Sequence, residues 1–271
     1  MSAAELRLST ADMMAAIQAM DPEAKKELDA FLLAGDAPIW VPQDGPQLMA
    51  YMSQADIVFY GGAAGGGKTD LLLGLCLTSQ EHSIIFRREA VQLTGIEERM
   101  TKILGTRKGY NSQDGVWRLP GGKVMELGSV KEVSDWVKYQ GRPHDFKGFD
   151  EITHFAELQF RTLIGWLRTD KPDIRQRVVA AGNPPTTAEG EWVKRYWAPW
   201  LDPQHHNPAK PGELRWYVSN EKGEDQEVPS GDPVMVGNEL VKPKSRTFIP
   251  SSVDDNLFLL STGYKATLQS L

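Results

Sequence analysis

Cysteine is nearly absent: Cys76 stands alone in 271 residues. No disulfide can close within the chain, and a reducing compartment such as the cytoplasm fits best. No apolar run approaches the ~20 residues that a membrane helix requires. The longest run, residues 71–77, suits a helix in a protein core. The N-terminus has no basic stretch followed by an apolar one, so a signal peptide is not expected. No internal repeat is visible. An excess of positive charge is also missing, because 30 Lys and Arg face 36 Asp and Glu, a net charge of −6. This argues against nucleic acid held over the whole surface, while leaving room for a local basic patch. Histidine is scarce, and the adjacent His205-His206 has no third ligand at metal spacing, so it reads as an exposed loop.

What is present is ordinary globular material, 41% hydrophobic and 24% charged, enough for a substantial core in one large or two small domains. Residues 1–36 read as a helical segment. Ser9 and Asp12 have capping-box spacing, Asp21 precedes Pro22 as an N-cap, and Gly35 ends the second helix. After a Pro-rich entry, strands alternate with helices through residues 37–202. Strands are expected at 56–60, 83–86, 144–149 and 177–181, and helices at 69–79, 89–104, 130–139 and 157–167. A hairpin is expected at 116–127, turning at Pro120-Gly121-Gly122. Such alternation predicts an α/β fold with a mostly parallel central sheet flanked by helices. Residues 203–271 turn polar and rich in Gly and Pro, with short strands at 214–218, 234–236 and 246–249. They read as a small accessory or lid region with a strand that returns to the core.

The strongest motif is Gly62-Ala63-Ala64-Gly65-Gly66-Gly67-Lys68-Thr69, a full match to GxxxxGK[ST]. The glycines let successive N–H groups turn toward a phosphate. Lys68 would reach the β- and γ-phosphates, Thr69 would ligate Mg²⁺, and the following helix would present its positive end to ATP. A bare Gly-rich turn would explain the glycines, but not the entering strand, the Lys-Thr pair and the leaving helix together.

Two further groups fit the same chemistry. Asp150-Glu151 closes a strand candidate: Asp150 could hold Mg²⁺ and Glu151 could act as general base on the attacking water. Lys147 and Gly148 interrupt that strand, and a solvated acidic turn is the plainer alternative. Asn183 stops a buried strand ahead of two prolines. In P-loop ATPases with an additional central strand, such a residue senses the γ-phosphate; the alternative is an Asn-Pro turn.

With these motifs go Phe86-Arg87-Arg88, Gln140-Gly141-Arg142-Pro143, the run from Phe149 to Phe155, Ala181-Gly182-Asn183-Pro184, and Phe248-Ile249-Pro250 followed by Asp255-Asn256. In this order and spacing the chain resembles, over about residues 40–256, the ATPase half of the large terminase subunit of tailed double-stranded DNA bacteriophages. The resemblance implies a P-loop ATPase of the additional-strand type that drives viral DNA into a procapsid. It implies ATP and Mg²⁺ as cofactors. The implied partners are double-stranded DNA, the capsid portal, the small terminase subunit and copies of the same chain in a ring, a pentamer in the family. A lone domain could be monomeric and weakly active. The implied location is the host cytoplasm, docked on the procapsid, with no membrane contact. Gln47 would contact adenine, with Gln43 as competitor, and Arg142 would act across a subunit boundary as an arginine finger. Arg87 and Arg88 would meet phosphate, DNA or a neighbour, or else pair with Glu97 or Glu98. The family's second, nuclease domain has no room before Leu271, so no DNA cleavage is expected. Rival readings are a helicase-like or other nucleic-acid-stimulated ATPase, and a nucleotide-binding assembly scaffold with little turnover. Arg99, Lys102, Arg107 and Lys108 form the best basic stretch, for DNA or simply a solvated helix face. Trp192, Trp197 and Trp200 suit packing better than base stacking.

Overall fold

The computed structural model describes residues 38–260, together with Asp21, Pro22, Glu23 and Lys25. Most of the expected N-terminal helical segment, including Ser9, Asp12 and Gly35, lies outside the described residues. At Asp21, Oδ1 accepts the Glu23 N–H at 2.9 Å, the contact expected of an N-cap.

The chain enters through a short helix, α1 (Pro46–Met52), then forms β1 (Ile57–Gly62), α2 (Lys68–Thr78), β2 (His82–Arg87) and α3 (Leu93–Leu104). An antiparallel β3 (Tyr110–Asn111), β4 (Val116–Arg118) and β5 (Val124–Ser129) follow, with the β4–β5 turn at Pro120–Gly122. Next come β6 (Phe146–Asp150), α4 (Glu157–Ile164), β7 (Arg177–Gly182), α5 (Trp192–Tyr196) and α6 (Ala198–Leu201). The last part holds β8 (Arg215–Ser219), β9 (Asp225–Val228), β10 (Val234–Val236), β11 (Glu239–Val241), β12 (Lys244–Ser251) and α7 (Leu257–Leu260). The helix expected at 130–139 is a 3-10 helix over Val133–Tyr139.

Ten strands join one sheet in the order β3-β4-β5-β2-β6-β7-β1-β12-β8-β9. The six from β5 to β12 run parallel. Strand β7 therefore lies between β1, which carries the Gly-rich loop, and β6, which carries the acidic pair. That insertion defines the additional-strand arrangement of P-loop folds. The returning strand β12 lies beside β1 in the centre. Strands β8 and β9, expected in an accessory region, extend the same sheet, while β10 and β11 form a separate ribbon.

Apolar residues alternate across the sheet, as its two covered faces require. Val58, Tyr60 and Ile85 pack with α2 and α3 on one face, whereas Phe59, Phe86 and Phe149 pack with α4 and α5 on the other. Helix α2 is apolar on nearly every side because it is almost enclosed. Trp192 and Trp197 are buried in the second cluster. The Trp197 ring lies 5.0 Å from that of Phe59, so these indoles are core and present no stacking platform.

The two residues that interrupt β6 have separate reasons. Gly148 lets α2 approach closely, since a Cβ there would lie 3.3 Å from the Leu72 side chain. Lys147 is fully buried and donates from Nζ to the Leu163 carbonyl at 2.5 Å, in the last turn of α4, where the helix dipole favours a cation. Burial, with help from the Arg168 charge, pushes the Lys147 pKa down to about 8 from 10.5. Between those values the unfolded chain binds more protons than the folded one, so this group makes stability rise with pH. Comparing pH 7 with pH 9.5, the stability of Lys147→Met should shift in favour of wild type by on the order of 2 kcal/mol. Urea midpoints of both proteins at the two pH values check this. An equal pH response in both would exclude a depressed Lys147.

Candidate functional site

The Gly-rich loop hangs between the ends of β1 and α2 and is held from behind. Tyr60 donates its hydroxyl to the Gly66 carbonyl at 2.7 Å, Asn256 its amide to Gly65 O at 2.7 Å, and Gln47 its amide to Gly67 O at 3.0 Å. The Ala63 N–H donates to Ser251 O at 3.1 Å, tying the loop to the end of β12. Gly66 is obligatory for this seat, because a Cβ would lie 2.3 Å from Ser251 Oγ. Gly67 turns into α2 with φ 70°, and no side chain caps that helix. The N–H groups of Lys68, Thr69 and Asp70 accordingly find no acceptor among the described residues. Unpaired donors at the positive end of a helix form a seat for an anion.

Side chains at and beyond the carboxyl ends of three parallel strands converge on this seat. Lys68 Nζ donates to Ala63 O at 2.6 Å and to Asn183 Oδ1 at 2.8 Å, just past the end of β7. Burial lowers the Lys68 pKa, and the charges of Glu151 and Asp150 oppose that shift. Thr69 Oγ1 donates to Asp150 Oδ2 at 3.0 Å. Asp150 is buried, and the same oxygen also accepts from Arg87 Nε at 3.0 Å and Nη2 at 2.7 Å. A hydroxyl and a carboxylate about 3 Å apart are hard oxygen donors at the separation of neighbouring Mg²⁺ ligands, so Thr69 and Asp150 fit that ion. Glu151, the next residue, has φ 59°, and no other non-glycine among the described residues has a positive φ. Such strain is retained where the surroundings demand it. Its carboxylate makes no hydrogen bond with the described residues, and it lines a cleft of about 690 Å³ together with Lys68, Thr69, Asn183 and Asn256.

Three groups of residues named from the sequence are already engaged. Gln47 does not line the cleft: it is buried beneath the loop, where Oε1 accepts from the Gln43 N–H at 2.7 Å while its amide holds Gly67. Gln43 is likewise engaged, with the Asn256 side chain and the Leu257 N–H. Neither Arg87 nor Arg88 pairs with Glu97 or Glu98. Arg87 takes Asp150, Arg88 takes Glu189 at 2.9 Å, and Glu97 is held by Arg107 and by the Tyr110 hydroxyl. The basic stretch is also broken up, because Arg99 faces the cleft in a two-pronged pair with Asp70 at 2.7 and 2.5 Å. Arg142 stands outside the cleft of its own chain. It precedes β6, at the amino end of the parallel strands, and donates to Glu126 Oε2 at 3.1 Å.

Sequence reasoning missed Arg87 as the partner of Asp150, and Ser251 and Asn256 as props of the loop. The Arg87 pairing shows only in three dimensions, where Phe86 lies opposite Phe149 in the parallel register and the next residues of both strands are set side by side. Asn256, named only within the motif Asp255-Asn256, is 191 residues from Gly65, and nothing local tied it to the loop.

Strand order and loop together define an α/β P-loop fold of the additional-strand class. No family model matches the chain, and neither does any curated protein. Among solved structures, the large terminase of a thermophilic bacteriophage aligns over 78% of this chain and 46% of that chain, at 16% identity and TM-score 0.49. The ADP complex of the same terminase aligns over 79% and 46%, also at 16% identity and TM-score 0.49. The large terminase ATPase domain of a Thermus phage aligns over 64% of this chain and 79% of that one, at 14% identity and TM-score 0.43. The chain thus spans less than half the length of the first of these terminases.

Proposed function

We propose that this chain binds ATP with Mg²⁺ and hydrolyses it. One observation carries the reading: Lys68, Thr69, Asp150, Glu151 and Asn183 meet at the carboxyl ends of β1, β6 and β7, around an uncapped helix start. The N–H groups of the loop and of α2 bind the phosphates. Lys68 exchanges its Ala63 and Asn183 contacts for phosphate oxygens. Thr69 and Asp150 would hold the Mg²⁺, which neutralises phosphate charge when bound. Glu151 orients a water and takes its proton as the water oxygen bonds to the γ-phosphorus. The bond from that phosphorus to the β–γ bridging oxygen breaks, leaving ADP and phosphate. Asn183, released from Lys68, follows whether a γ-phosphate is present.

The motif resemblance extends this reading to a motor that moves double-stranded viral DNA into a procapsid, working with the portal, the small terminase subunit and a ring of copies. In such a ring Arg142 completes a neighbour's site, consistent with its distance from its own. The remaining divisions proposed are a core over 37–202 and an accessory role for 203–271, within which β12 serves the core.

Steady-state ATPase rates against protein concentration, with and without duplex DNA, test both levels. Lys68→Ala should abolish turnover. The wild-type rate per chain should rise with concentration, and Arg142→Ala should remove that rise while nucleotide still binds. Nucleotide binding without turnover at any concentration would leave a scaffold. A concentration-independent rate indifferent to Arg142→Ala would remove Arg142 from the site. DNA stimulation without procapsid-dependent packaging would favour a general nucleic-acid-stimulated ATPase.

A further inference from the structure

A second group of ligating side chains lies toward the amino end of the sheet, away from the phosphate seat. His82 opens β2, Glu126 lies on the neighbouring β5, and His144 precedes β6 on the other side of β2. Three adjacent parallel strands thus each bring one ligand to one place. His82 Nε2 lies 3.1 Å from Glu126 Oε1, and His144 Nε2 lies 3.4 Å from the same oxygen. One ligand atom from each residue falls within 4.8 Å of the others.

Hydrogen bonding within the cluster accounts for two of the three residues. Glu126 is bonded to His82 through Oε1 and to Arg142 through Oε2. His144 is left over. Its side chain is 1% exposed, and neither ring nitrogen has a hydrogen-bond partner, since the approach to Glu126 is not aligned for one. A buried imidazole with both nitrogens unsatisfied is costly and calls for an explanation.

We infer that His82, Glu126 and His144 form a binding site for Zn²⁺. Two imidazoles and one carboxylate are a Zn²⁺ ligand set; Mg²⁺ and Ca²⁺ prefer oxygen throughout. Around a tetrahedral ion with ligands at 2.0–2.1 Å, neighbouring donor atoms lie about 3.3 Å apart. The two separations from Glu126 Oε1 match that edge, and a turn of the half-exposed His82 ring brings the imidazole nitrogens together. Arg142 holds the second carboxylate oxygen, keeping Glu126 a one-oxygen ligand and fixing its direction, as outer partners of metal ligands do. His82 is 39% exposed, which provides an entry path and leaves a fourth position for water. The ion would clamp β5, β2 and the approach to β6, and steady the loop that carries Arg142. None of the three ligands belongs to the phosphate seat; only Arg142, the outer partner of Glu126, is shared with the motor reading proposed above.

The test uses the full chain, stripped with chelator and free of nucleotide. Calorimetric titration with Zn²⁺ should give one equivalent bound, and Co²⁺ should give the intense visible bands of a four-coordinate ion. His82→Ala should weaken binding by at least about tenfold and abolish the rise in melting temperature that Zn²⁺ gives wild type. His144→Gln should do the same. If that buried variant fails to fold, His82→Ala decides alone, because its ring is partly in solvent. The double variant His205→Ala, His206→Ala should bind as wild type does. The site is refuted if wild type takes up no Zn²⁺ or Co²⁺ near one equivalent, if His82→Ala binds unchanged, or if the His205, His206 variant is the one that loses the ion.

Discussion

With Glu151 replaced by Gln, ATP turnover falls by on the order of 10² to 10⁴ while nucleotide affinity is kept. The substitution preserves shape and hydrogen-bonding reach and removes the ability to take a proton. Geometry makes the residue a strong candidate. It follows directly on Asp150 of β6, faces the cleft with no hydrogen bond to the described residues, and has a backbone that a non-glycine residue adopts at a cost. That cost is on the order of 1 kcal/mol or more, so the chain holds a carboxylate there at the expense of stability. Single-turnover hydrolysis, measured beside binding of a fluorescent nucleotide, separates the two functions. Near-normal turnover in Glu151→Gln would mean that the base lies elsewhere. A loss of binding equal to the loss of turnover would make Glu151 a structural support.

Gly61→Ala should destabilise the protein by on the order of 3 kcal/mol or more, with loss of nucleotide binding in whatever remains folded. A Cβ at Gly61 would lie 2.0 Å from the carbonyl oxygen of Gly182. That neighbour is backbone in the middle of the sheet and cannot swing away as a side chain can. Gly61 is paired with Gly182 in the β1–β7 register. Parting the strands there would also part Lys68, beyond β1, from Asn183, beyond β7. The urea midpoint and nucleotide affinity of the variant check both consequences. A midpoint like that of wild type would mean that the two backbones do not approach so closely.

The Gly-rich loop was legible in the sequence because it is local: an apolar strand, eight residues of loop and an apolar helix follow one another without interruption. The acid and the polar strand end were legible by type, and the structure brings both to the loop. The interruption of β6 looked like a weakness because pattern reading treats Lys147 and Gly148 as breaks. In three dimensions one satisfies a helix end and the other admits a helix. The adenine contact of Gln47 was implied by the resemblance alone; in the structure its amide holds the loop's own backbone. Partners distant in sequence left no local trace. Ser251 and Asn256 reach the loop only because β12 returns to pair with β1; a returning strand was expected, but not its place beside β1. The histidine pair that drew attention was the sequential one, His205-His206, whereas His82 and His144 are joined only by strand order.

The placement of β1 has a consequence for biosynthesis. Its two neighbours are β7, more than a hundred residues later, and β12, nearly two hundred residues later. When the Gly-rich segment leaves the ribosome, neither flank of its strand has been made. The loop cannot be seated until residues 244–256 have emerged to supply Ser251 and Asn256. Pairings so far apart in sequence are slow to close, because loop entropy is lost before any contact repays it. Nascent chains of this protein therefore pass the synthesis of nearly two hundred residues with an apolar strand and an apolar helix in hand and no completed sheet to receive them, the condition in which chaperones are most needed.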